Sequence, residues 1–323
     1  MRDAAVMRLV GDIGATNARF GLVSPEGGVL HSRVCAVDDY PSIERAIAAY
    51  LEERGPLPMP REGALAIASP VTGDSISMTN HPWRFSVAAL RASLGFDRLE
   101  VINDFTAVAL ALPYLGDADR MPVGGGAPVA GAPLAVLGPG SGLGVSGLVP
   151  SPGGGWVALT GEGGHVSLPA ESERESAAIS HMRRQFDHVS AERVLSGPGL
   201  VNLYNALAAL DGVPSKAYTA AQITDPATGA GDPLCAEAAR LFCAMLGTIA
   251  GDLALTLGAR GGVYVAGGIV PKLGPAFADS LFRERFEAKG RLRAYLAPIP
   301  TYVVTHPLPA FLGCAAALGR GRS

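Results

Sequence analysis

A chain of 323 residues is longer than one hydrophobic core usually supports, and its 48% hydrophobic content is enough to fill two cores, so two domains are expected. The formal net charge is −3 and no long basic run occurs, which excludes a surface built for nucleic acid or for anionic membranes. The four cysteines are widely spaced without a C-x-x-C motif, which excludes a disulfide framework and a zinc knuckle.

Two segments bear on cellular location. Charged residues at Arg2, Asp3, Arg8 and Asp12 interrupt the N-terminus before an apolar run develops, so no signal peptide is predicted. Residues 121–161 carry no charge, but their prolines and glycines break the continuous apolar run that a membrane helix needs. We therefore expect buried strands and turns in this segment, no membrane partner, and a cytoplasmic protein.

Residues 7–23 predict a β-hairpin whose connection, residues 11–17, reads Gly-Asp-Ile-Gly-Ala-Thr-Asn. Glycines let backbone N–H groups approach an anion, and Thr16 and Asn17 add side-chain donors, so the loop is a candidate phosphate site. Asp12 is the sole acid of this loop and indicates Mg²⁺, held directly or through water, because two bare anions would repel each other. The alternative is a tight hairpin with a solvated Asp12.

The next elements are a strand over 30–37, a helix from Pro41, a buried strand over 63–68 and a capped helix over 86–94. Between the last two lies Thr-Asn-His-Pro-Trp, residues 79–83. This cluster either shapes a pocket wall or is a surface turn with Trp83 packed behind it.

Asn103 and Asp104 follow a predicted strand over 99–102 and precede a predicted helix over 106–112. In open α/β sheets, ligands bind at the C-terminal ends of strands. A carboxylate there can accept a proton from a substrate hydroxyl while the neighbouring amide orients it. The alternative is that Asp104 only caps the helix, since Asp is a favoured N-cap residue.

The second half of the chain opens like the first. Residues 136–149 again read as strand, glycine-rich turn with Ser141, and strand, which predicts two related domains facing one cleft. Residues 142–147 match G-x-G-x-x-G, but a β run and Pro150 follow instead of a helix, so a dinucleotide fingerprint is excluded. No P-loop motif occurs.

Three further side chains are candidate sugar ligands. Glu162 and His165 lie in a glycine loop; a carboxylate and an imidazole there suit sugar hydroxyls, whereas zinc would need a third ligand nearby. Glu192 stands at a predicted helix start opened by Ser190, where an acid can instead be explained by the helix dipole.

The C-terminal part predicts a long helix from Asp232 toward Leu257, a strand over 262–266, a strand over 301–305 and an amphipathic helix over 309–318. Gly267 and Gly268 follow the first of these strands. Two glycines at that position allow a flat ring to lie close to the backbone, so they are candidate nucleoside contacts.

Six blocks together resemble bacterial glucokinases: residues 9–17, 78–81, 102–108, 161–165, 190–200 and 266–270. The resemblance spans essentially the whole chain. It implies a two-domain, actin-like (ribonuclease H-like) α/β fold with a ligand cleft between a small domain, 1–114 plus 306–323, and a large domain, 115–305. It also implies ATP-dependent phosphorylation of the 6-hydroxyl of glucose, with ATP and Mg²⁺ as cofactors, by a homodimer. The cysteine-rich zinc motif of the related repressor-and-kinase group is absent, so no zinc is expected.

Carried over by position, the resemblance implies that Asp104 is the catalytic base. It implies sugar ligands at Asn103, Asp104, Glu162, His165 and Glu192. It implies phosphate loops at Gly11, Asp12, Ile13, Gly14, Ala15, Thr16 and Asn17 and at Gly138, Gly140, Ser141 and Gly142.

Ala15 stands where the family pattern has Gly, and Pro139 and Ser141 modify the second loop; these departures bear on nucleotide affinity. Two other functions stay open at this point. One is a kinase of another hexose, such as mannose or glucosamine. The other is a non-catalytic sugar-sensing regulator, which is expected to carry a DNA-binding helix pair that nothing before Met7 supplies.

Overall fold

The computed structural model describes residues 7–79 and 81–319, so Asn80 of the 79–83 cluster and both ends of the first predicted domain lie outside the described residues. The chain is of the mixed α/β class and divides into two compact units. Unit 1 comprises Met1–Leu115 and His306–Ser323, and unit 2 comprises Gly116–Thr305.

The elements of both units are numbered here in chain order. The strands are β1 (Arg8–Ile13), β2 (Asn17–Val23), β3 (Val29–Ala36), β4 (Glu62–Ile67), β5 (Ser75–Ser77), β6 (Arg84–Ser86), β7 (Arg98–Asn103), β8 (Arg120–Pro122), β9 (Leu134–Pro139), β10 (Leu143–Pro150), β11 (Trp156–Thr160), β12 (Gly262–Val265) and β13 (Thr301–Val304). The α-helices are α1 (Ile43–Glu52), α2 (Val87–Ser93), α3 (Asp104–Ala111), α4 (Glu173–Met182), α5 (Gly197–Leu210), α6 (Ala220–Ile223), α7 (Pro226–Gly231), α8 (Pro233–Leu257), α9 (Val270–Leu273), α10 (Pro275–Ala278), α11 (Phe282–Glu287), α12 (Arg293–Leu296) and α13 (Pro309–Gly319).

Unit 1 is built on a five-stranded sheet with the order β3-β2-β1-β4-β7. Strands β1, β4 and β7 run parallel, and the pairing places Ile13 opposite Ile67 and Ile67 opposite Asn103. The three strands therefore end at the same level. Whatever follows them in the chain is delivered to one edge of this sheet.

One face of this sheet is covered by α1. Ser42 caps the helix by accepting a hydrogen bond from the backbone N–H of Arg45, as expected for Ser at an N-cap. Its apolar residues recur at helical spacing, and Ile43, Ile47 and Tyr50 are fully buried in one core with side chains of the sheet. The sequence prediction of a packed helix after Pro41 is confirmed, with its first helical residue at Ile43.

The opposite face of the sheet carries α3 and α13, which pack against each other. Gly313 makes this close packing feasible, because a Cβ there would lie 1.7 Å from the carbonyl oxygen of Ala107. Arg98 donates hydrogen bonds to the carbonyl oxygens of Ala317 and Leu318 and so caps the end of α13. The prediction that this helix is amphipathic is wrong: only Gly319 of its eleven residues is exposed.

Unit 2 is built on a six-stranded sheet with the order β11-β10-β9-β12-β13-β8. Strands β9, β12 and β13 run parallel, and β9 and β10 form the predicted second hairpin. Helix α8 packs against α5, α11 and β9. Asp232 caps its start, and Gly258, in the left-handed conformation, ends it.

Among the described residues, α8 is the one helix long and apolar enough to cross a membrane by length and composition. Within its apolar window, 72% is buried inside the protein. Fully buried residues such as Phe242, Met245 and Leu246 contribute to the core of unit 2. The helix is therefore apolar because it is the central core helix of this unit.

The contact between α13 and α3 yields a stability prediction. Gly313→Ala places a methyl group against backbone that cannot rotate away, so the free energy of unfolding should fall by about 1–3 kcal/mol. Gly319→Ala in the same helix is the matched control, because a Cβ there meets no atom within 4 Å. Urea titration followed by circular dichroism measures both. Equal midpoints for the two variants would show that α13 does not pack this closely on α3.

Candidate active site

Asn103 and Asp104 stand at the junction where β7 ends and α3 begins. The N-cap of α3 is Asn103, whose side-chain oxygen accepts hydrogen bonds from the backbone N–H groups of Phe105 (2.9 Å) and Thr106 (3.1 Å). The cap is therefore supplied by the neighbouring amide. The alternative in which Asp104 serves only as the helix cap is not needed to explain the start of α3.

The carboxylate of Asp104 is held through one oxygen. Its Oδ1 accepts hydrogen bonds from Nδ2 of Asn103 (2.9 Å) and from the backbone N–H of Phe105 (2.8 Å). Asn103 thus uses its carbonyl to start the helix and its amide to fix the acid. Such anchoring orients a carboxylate before any substrate arrives, which is what a proton acceptor requires.

Burial, together with the nearby negative charge of Asp12, raises the pKa of Asp104 to about 6 against the opposing effect of the hydrogen bonds from Phe105 and Asn103. Burial also raises the pKa of Asp12, and the guanidinium of Arg19, 3.5 Å from its carboxylate, works in the opposite direction. At pH 7 most molecules carry Asp104 as a carboxylate. It is then able to take a proton from a hydroxyl group.

Asn103 is also joined to Ser69, the residue two positions after β4, and Ser69 in turn is joined to Thr79 of the 79–83 cluster. The buried hydroxyl of Ser69 accepts a hydrogen bond from the backbone N–H of Thr79 (2.8 Å) and lies 3.1 Å from its hydroxyl. Nδ2 of Asn103 donates to the carbonyl oxygen of Ser69 at 3.5 Å. The signal for the contact between Ser69 and Asn103 was that both stand at the ends of neighbouring parallel strands, β4 and β7, where side chains converge.

The first hairpin presents a short exposed tip. Gly11, Asp12 and Ile13 belong to β1 and Asn17 begins β2, so the turn itself is residues 14–16. Thr16 and Asn17 are exposed, whereas Gly11 and Ile13 are buried in the sheet. The backbone N–H of Gly14 donates to the carbonyl oxygen of Asn17 at 2.9 Å. Groups that reach an anion at this tip are therefore those of residues 14–17.

Asp12 is the candidate magnesium ligand. Its carboxylate is partly exposed, with a side-chain accessibility of 28%, and couples electrostatically to that of Asp104. Two carboxylates near one edge of a sheet are hard oxygen donors of the type that Mg²⁺ prefers, with water completing its shell. The residues present therefore fit this ion. Across residues 7–79 and 81–319, no group of three or more His, Cys, Asp or Glu side chains forms a metal site.

The second hairpin has a tip of the same kind in unit 2. Gly138 is buried in β9, Ser141 at the tip is exposed, and the backbone N–H of Gly140 donates to the carbonyl oxygen of Gly142 at 2.8 Å. The N–H of Gly197, the first residue of α5, donates to the carbonyl oxygen of Gly140 at 2.8 Å. The tip is thus tied to the start of a helix.

Gly267 and Gly268 lie beside this hairpin, because β12 and β9 are parallel neighbours. Both glycines are exposed. Gly267 has a φ of +84°, and a Cβ there would lie 2.3 Å from the carbonyl oxygen of Pro139, so a side chain is excluded. The structure therefore brings these two glycines next to the tip of the second hairpin.

Glu162 precedes a single 3₁₀ turn, Gly163–His165, of which His165 is the last residue, and both residues are exposed. Gly164 fits this turn tightly onto the start of β10, since a Cβ there would lie 2.0 Å from the carbonyl oxygen of Leu143. The turn is joined to the Glu192 segment by a hydrogen bond from the N–H of Ala191 to the carbonyl oxygen of Val166 (2.8 Å). The three unit 2 candidates thus lie on connected segments.

The local structure around Glu192 differs from the helix start that the sequence predicts. Ser190 opens only one 3₁₀ turn, Ala191–Arg193, and α5 begins at Gly197 with Ser196 as its cap. A single turn has too few aligned peptides to explain an acid by a helix dipole. Oε2 of Glu192 instead accepts a hydrogen bond of 2.9 Å from the backbone N–H of Leu143, in the second hairpin.

Trp83 is a core residue. Its side chain is buried, its indole N–H donates to the carbonyl oxygen of Tyr40 at 3.1 Å, and His81 packs edge-on against it at 4.9 Å between ring centres. Of the two interpretations of residues 79–83, packing of Trp83 behind the turn is the one observed.

Nearly the whole chain is similar to proteins of one family. The profile of the glucokinase family matches residues 9–320. A glucokinase of Paramagnetospirillum magneticum is 54% identical over 309 residues, which cover 96% of each chain. The crystal structure of a glucokinase from an Antarctic psychrotroph matches with a TM-score of 0.88 and 36% identity, covering 97% of this chain and 99% of that one.

A more distant structure shows the same architecture. A ROK family glucokinase from Streptomyces griseus, in complex with glucose and AMPPNP, matches with a TM-score of 0.66 and 20% identity, covering 98% of this chain and 99% of that one. At this level of identity the match concerns the fold. The actin-like α/β fold expected from the sequence is confirmed.

Measurements of stability can test whether Asn103, and not Asp104, is the residue that caps α3. Asn103→Ala removes the N-cap of α3 and should lower the free energy of unfolding by about 1 kcal/mol or more. Asp104→Asn is the matched control: it leaves that cap in place and removes a buried charge, so stability should be unchanged or higher. Urea midpoints compare them. A larger loss in Asp104→Asn would identify Asp104 as the residue that stabilises the helix.

Proposed function

The chain belongs to the glucokinase family, and from this premise we propose which of its residues carry out the reaction. The activity is ATP-dependent phosphorylation of glucose, which gives glucose 6-phosphate. The observation that carries the assignment of roles is the half-buried, doubly hydrogen-bonded carboxylate of Asp104 at the end of β7.

Asp104 is the general base. Its pKa of about 6 lies close to neutral pH, so the group is mostly ionised and still basic enough to accept the proton of the 6-hydroxyl as that oxygen attacks phosphorus. The O–H bond breaks as the new O–P bond forms, and ADP leaves. A base of this kind contributes about 10²–10⁴-fold to the rate.

Sugar binding is assigned to Asn103, Glu162, His165 and Glu192, together with Asp104. Glu162 and His165 present an exposed carboxylate and an exposed imidazole from one turn. The carboxylate can accept hydrogen bonds from ring hydroxyls, and the imidazole can donate to them or accept from them. Asn103 already uses its amide to fix Asp104, so its main contribution is to orient the base.

ATP is the phosphoryl donor. We assign its phosphates to the hairpin tips, with donors from Ala15, Thr16 and Asn17 in unit 1 and from Ser141 and Gly142 in unit 2. Gly14 and Gly140, whose N–H groups close the turns, shape the two tips. We assign the nucleoside to Gly267 and Gly268. Exposure of Thr16, Asn17 and Ser141 supports this, as does the contact of Gly267 with Pro139. Gly11, Ile13 and Gly138 are buried in strands, so they would hold the tips in place.

Phosphoryl transfer depends on positioning and on neutralising phosphate charge more than on covalent help. When bound, Mg²⁺ would supply part of that neutralisation, with Asp12 as its proposed protein ligand, directly or through water. The partial exposure of the Asp12 carboxylate supports this assignment. Activity that persists unchanged after removal of divalent ions with EDTA would contradict it.

We further propose that the protein is a cytoplasmic homodimer, and that the two units described above are the two domains of each subunit. Four buried, unpaired cysteines fit a reducing compartment, and cell fractionation tests that placement. Light scattering of the purified protein tests the dimer, which a monomeric mass would rule out.

Turnover with several hexoses tests both the function and the base. The wild-type protein should release ADP from ATP when glucose is present. The rates of ADP release with mannose and with glucosamine, compared with the rate with glucose, show whether another hexose is preferred. Asp104→Asn keeps a side chain that can be held by the same donors but cannot take a proton. It should retain glucose binding and lose at least about 100-fold in kcat.

The outcomes separate the alternatives. A non-catalytic sugar sensor would bind glucose in calorimetry without releasing ADP in the wild-type protein. Near-normal turnover of Asp104→Asn would remove Asp104 from the mechanism while leaving the kinase activity itself intact.

The acidity of Asp104 predicts a pH dependence. Protonation removes the base, so kcat/KM for glucose should fall about tenfold per pH unit below roughly pH 6 and level off above it. Asn103→Ala removes a hydrogen bond that lowers this pKa, so its acid limb should move to higher pH. Initial rates from pH 4.5 to 8 measure both profiles. An unmoved limb in Asn103→Ala would show that another group controls it.

A further inference from the structure

Gly142 occupies a place in the second hairpin that is shared with a proposed sugar ligand. Its Cα carries no side chain, and an added Cβ would lie 2.5 Å from Oε2 and 3.3 Å from Cδ of Glu192. The next residue, Leu143, donates its backbone N–H to the same Oε2 at 2.9 Å. The Glu192 carboxylate therefore rests in a space that exists because residue 142 is glycine.

The backbone on both sides of this contact is fixed by hydrogen bonds. The hairpin tip is closed by the bond from Gly140 to Gly142 and tied to α5 through Gly197. On the other side, the hydroxyl of Ser196 donates to the carbonyl oxygen of Glu192 at 2.8 Å. A methyl group at position 142 would thus displace the end of the Glu192 side chain, since neither backbone is free to yield.

Gly140, two residues earlier, provides the contrast. A Cβ at Gly140 meets no atom within 4 Å, and neither glycine adopts the left-handed conformation that would strain an alanine. The two glycines share one hairpin tip and the same proposed phosphate. They differ in whether a side chain would strike Glu192.

We propose that Gly142 is a positioning residue for glucose binding, because it gives the Glu192 carboxylate room to lie against the N–H of Leu143 and to meet the sugar with a fixed orientation. This inference rests on the proposed function of Glu192 as a sugar ligand. By this proposal, a glycine in the hairpin assigned to the nucleotide also affects how the sugar binds. The backbone at the start of β10 then belongs both to the proposed phosphate site and to the proposed sugar site.

The test compares Gly142→Ala with Gly140→Ala in the full-length protein. Isothermal titration calorimetry measures Kd for glucose and, separately, for AMPPNP. Gly142→Ala should raise the glucose Kd about tenfold or more, the size of a lost hydrogen bond to a charged group. Gly140→Ala should leave the glucose Kd within about twofold, because its Cβ points into open space. In rate measurements, Gly142→Ala should raise KM for glucose more than it lowers kcat.

A double-mutant cycle shows whether the effect passes through Glu192. In an Glu192→Ala background the obstructing carboxylate is gone, so adding Gly142→Ala should change the glucose Kd by less than about twofold. A full tenfold effect in that background would overturn the proposal. This arm also removes the clash itself, so the double variant folds even if the single variant is perturbed.

Two other results would overturn the proposal as well. One is an equal glucose Kd for Gly142→Ala and Gly140→Ala. The other is a rise in the AMPPNP Kd of Gly142→Ala with an unchanged glucose Kd, which would make Gly142 a phosphate contact only. Failure of the proposed role of Glu192 is distinguishable from these, because Glu192→Ala alone would then leave the glucose Kd unchanged.

Discussion

A half-buried carboxylate that is still ionised at neutral pH is the constraint on which the proposed chemistry depends. Burial alone would favour the neutral acid, and it does raise the pKa of Asp104 to about 6. Two N–H donors, from Asn103 and Phe105, hold the ionised form within reach of neutral pH. The start of α3 supplies one of them and Asn103 the other. A strand end followed at once by a helix start thus creates both the position and the acidity of this carboxylate.

Unit 1 places this junction through its sheet rather than through the junction's own sequence. Parallel pairing of β1, β4 and β7 ends three strands at one level, so Asp12, Ser69 and Asn103 reach the same edge although they are far apart in the chain. In unit 2, the second hairpin is contacted by Gly164, Gly267 and Glu192, each from a different segment. In both units the polar groups come from connections, and strands fix where those connections begin.

Local patterns in the sequence were sufficient for the elements that local physics determines. Both hairpins, the caps at Ser86 and Asp232 and the long helix α8 follow from turn residues, capping residues and periodicity. The resemblance supplied the residues of the site, and the family and fold it implied are confirmed. The roles of individual site residues stay predictions.

What the sequence missed depends on distant partners. The hydrogen bond between Glu192 and Leu143 joins residues 49 positions apart, so nothing near Ser190 distinguished a single turn from a helix start. Helix α13 was predicted as amphipathic although Pro309–Gly319 contains no charged or strongly polar residue; a helix that is apolar all round is buried, and here α3, from the first half of the chain, covers it. That dependence also orders the protein's biosynthesis. A ribosome makes α3 long before α13, so α3 can bury its apolar residues against α13 only after Gly313 and its neighbours have been synthesised.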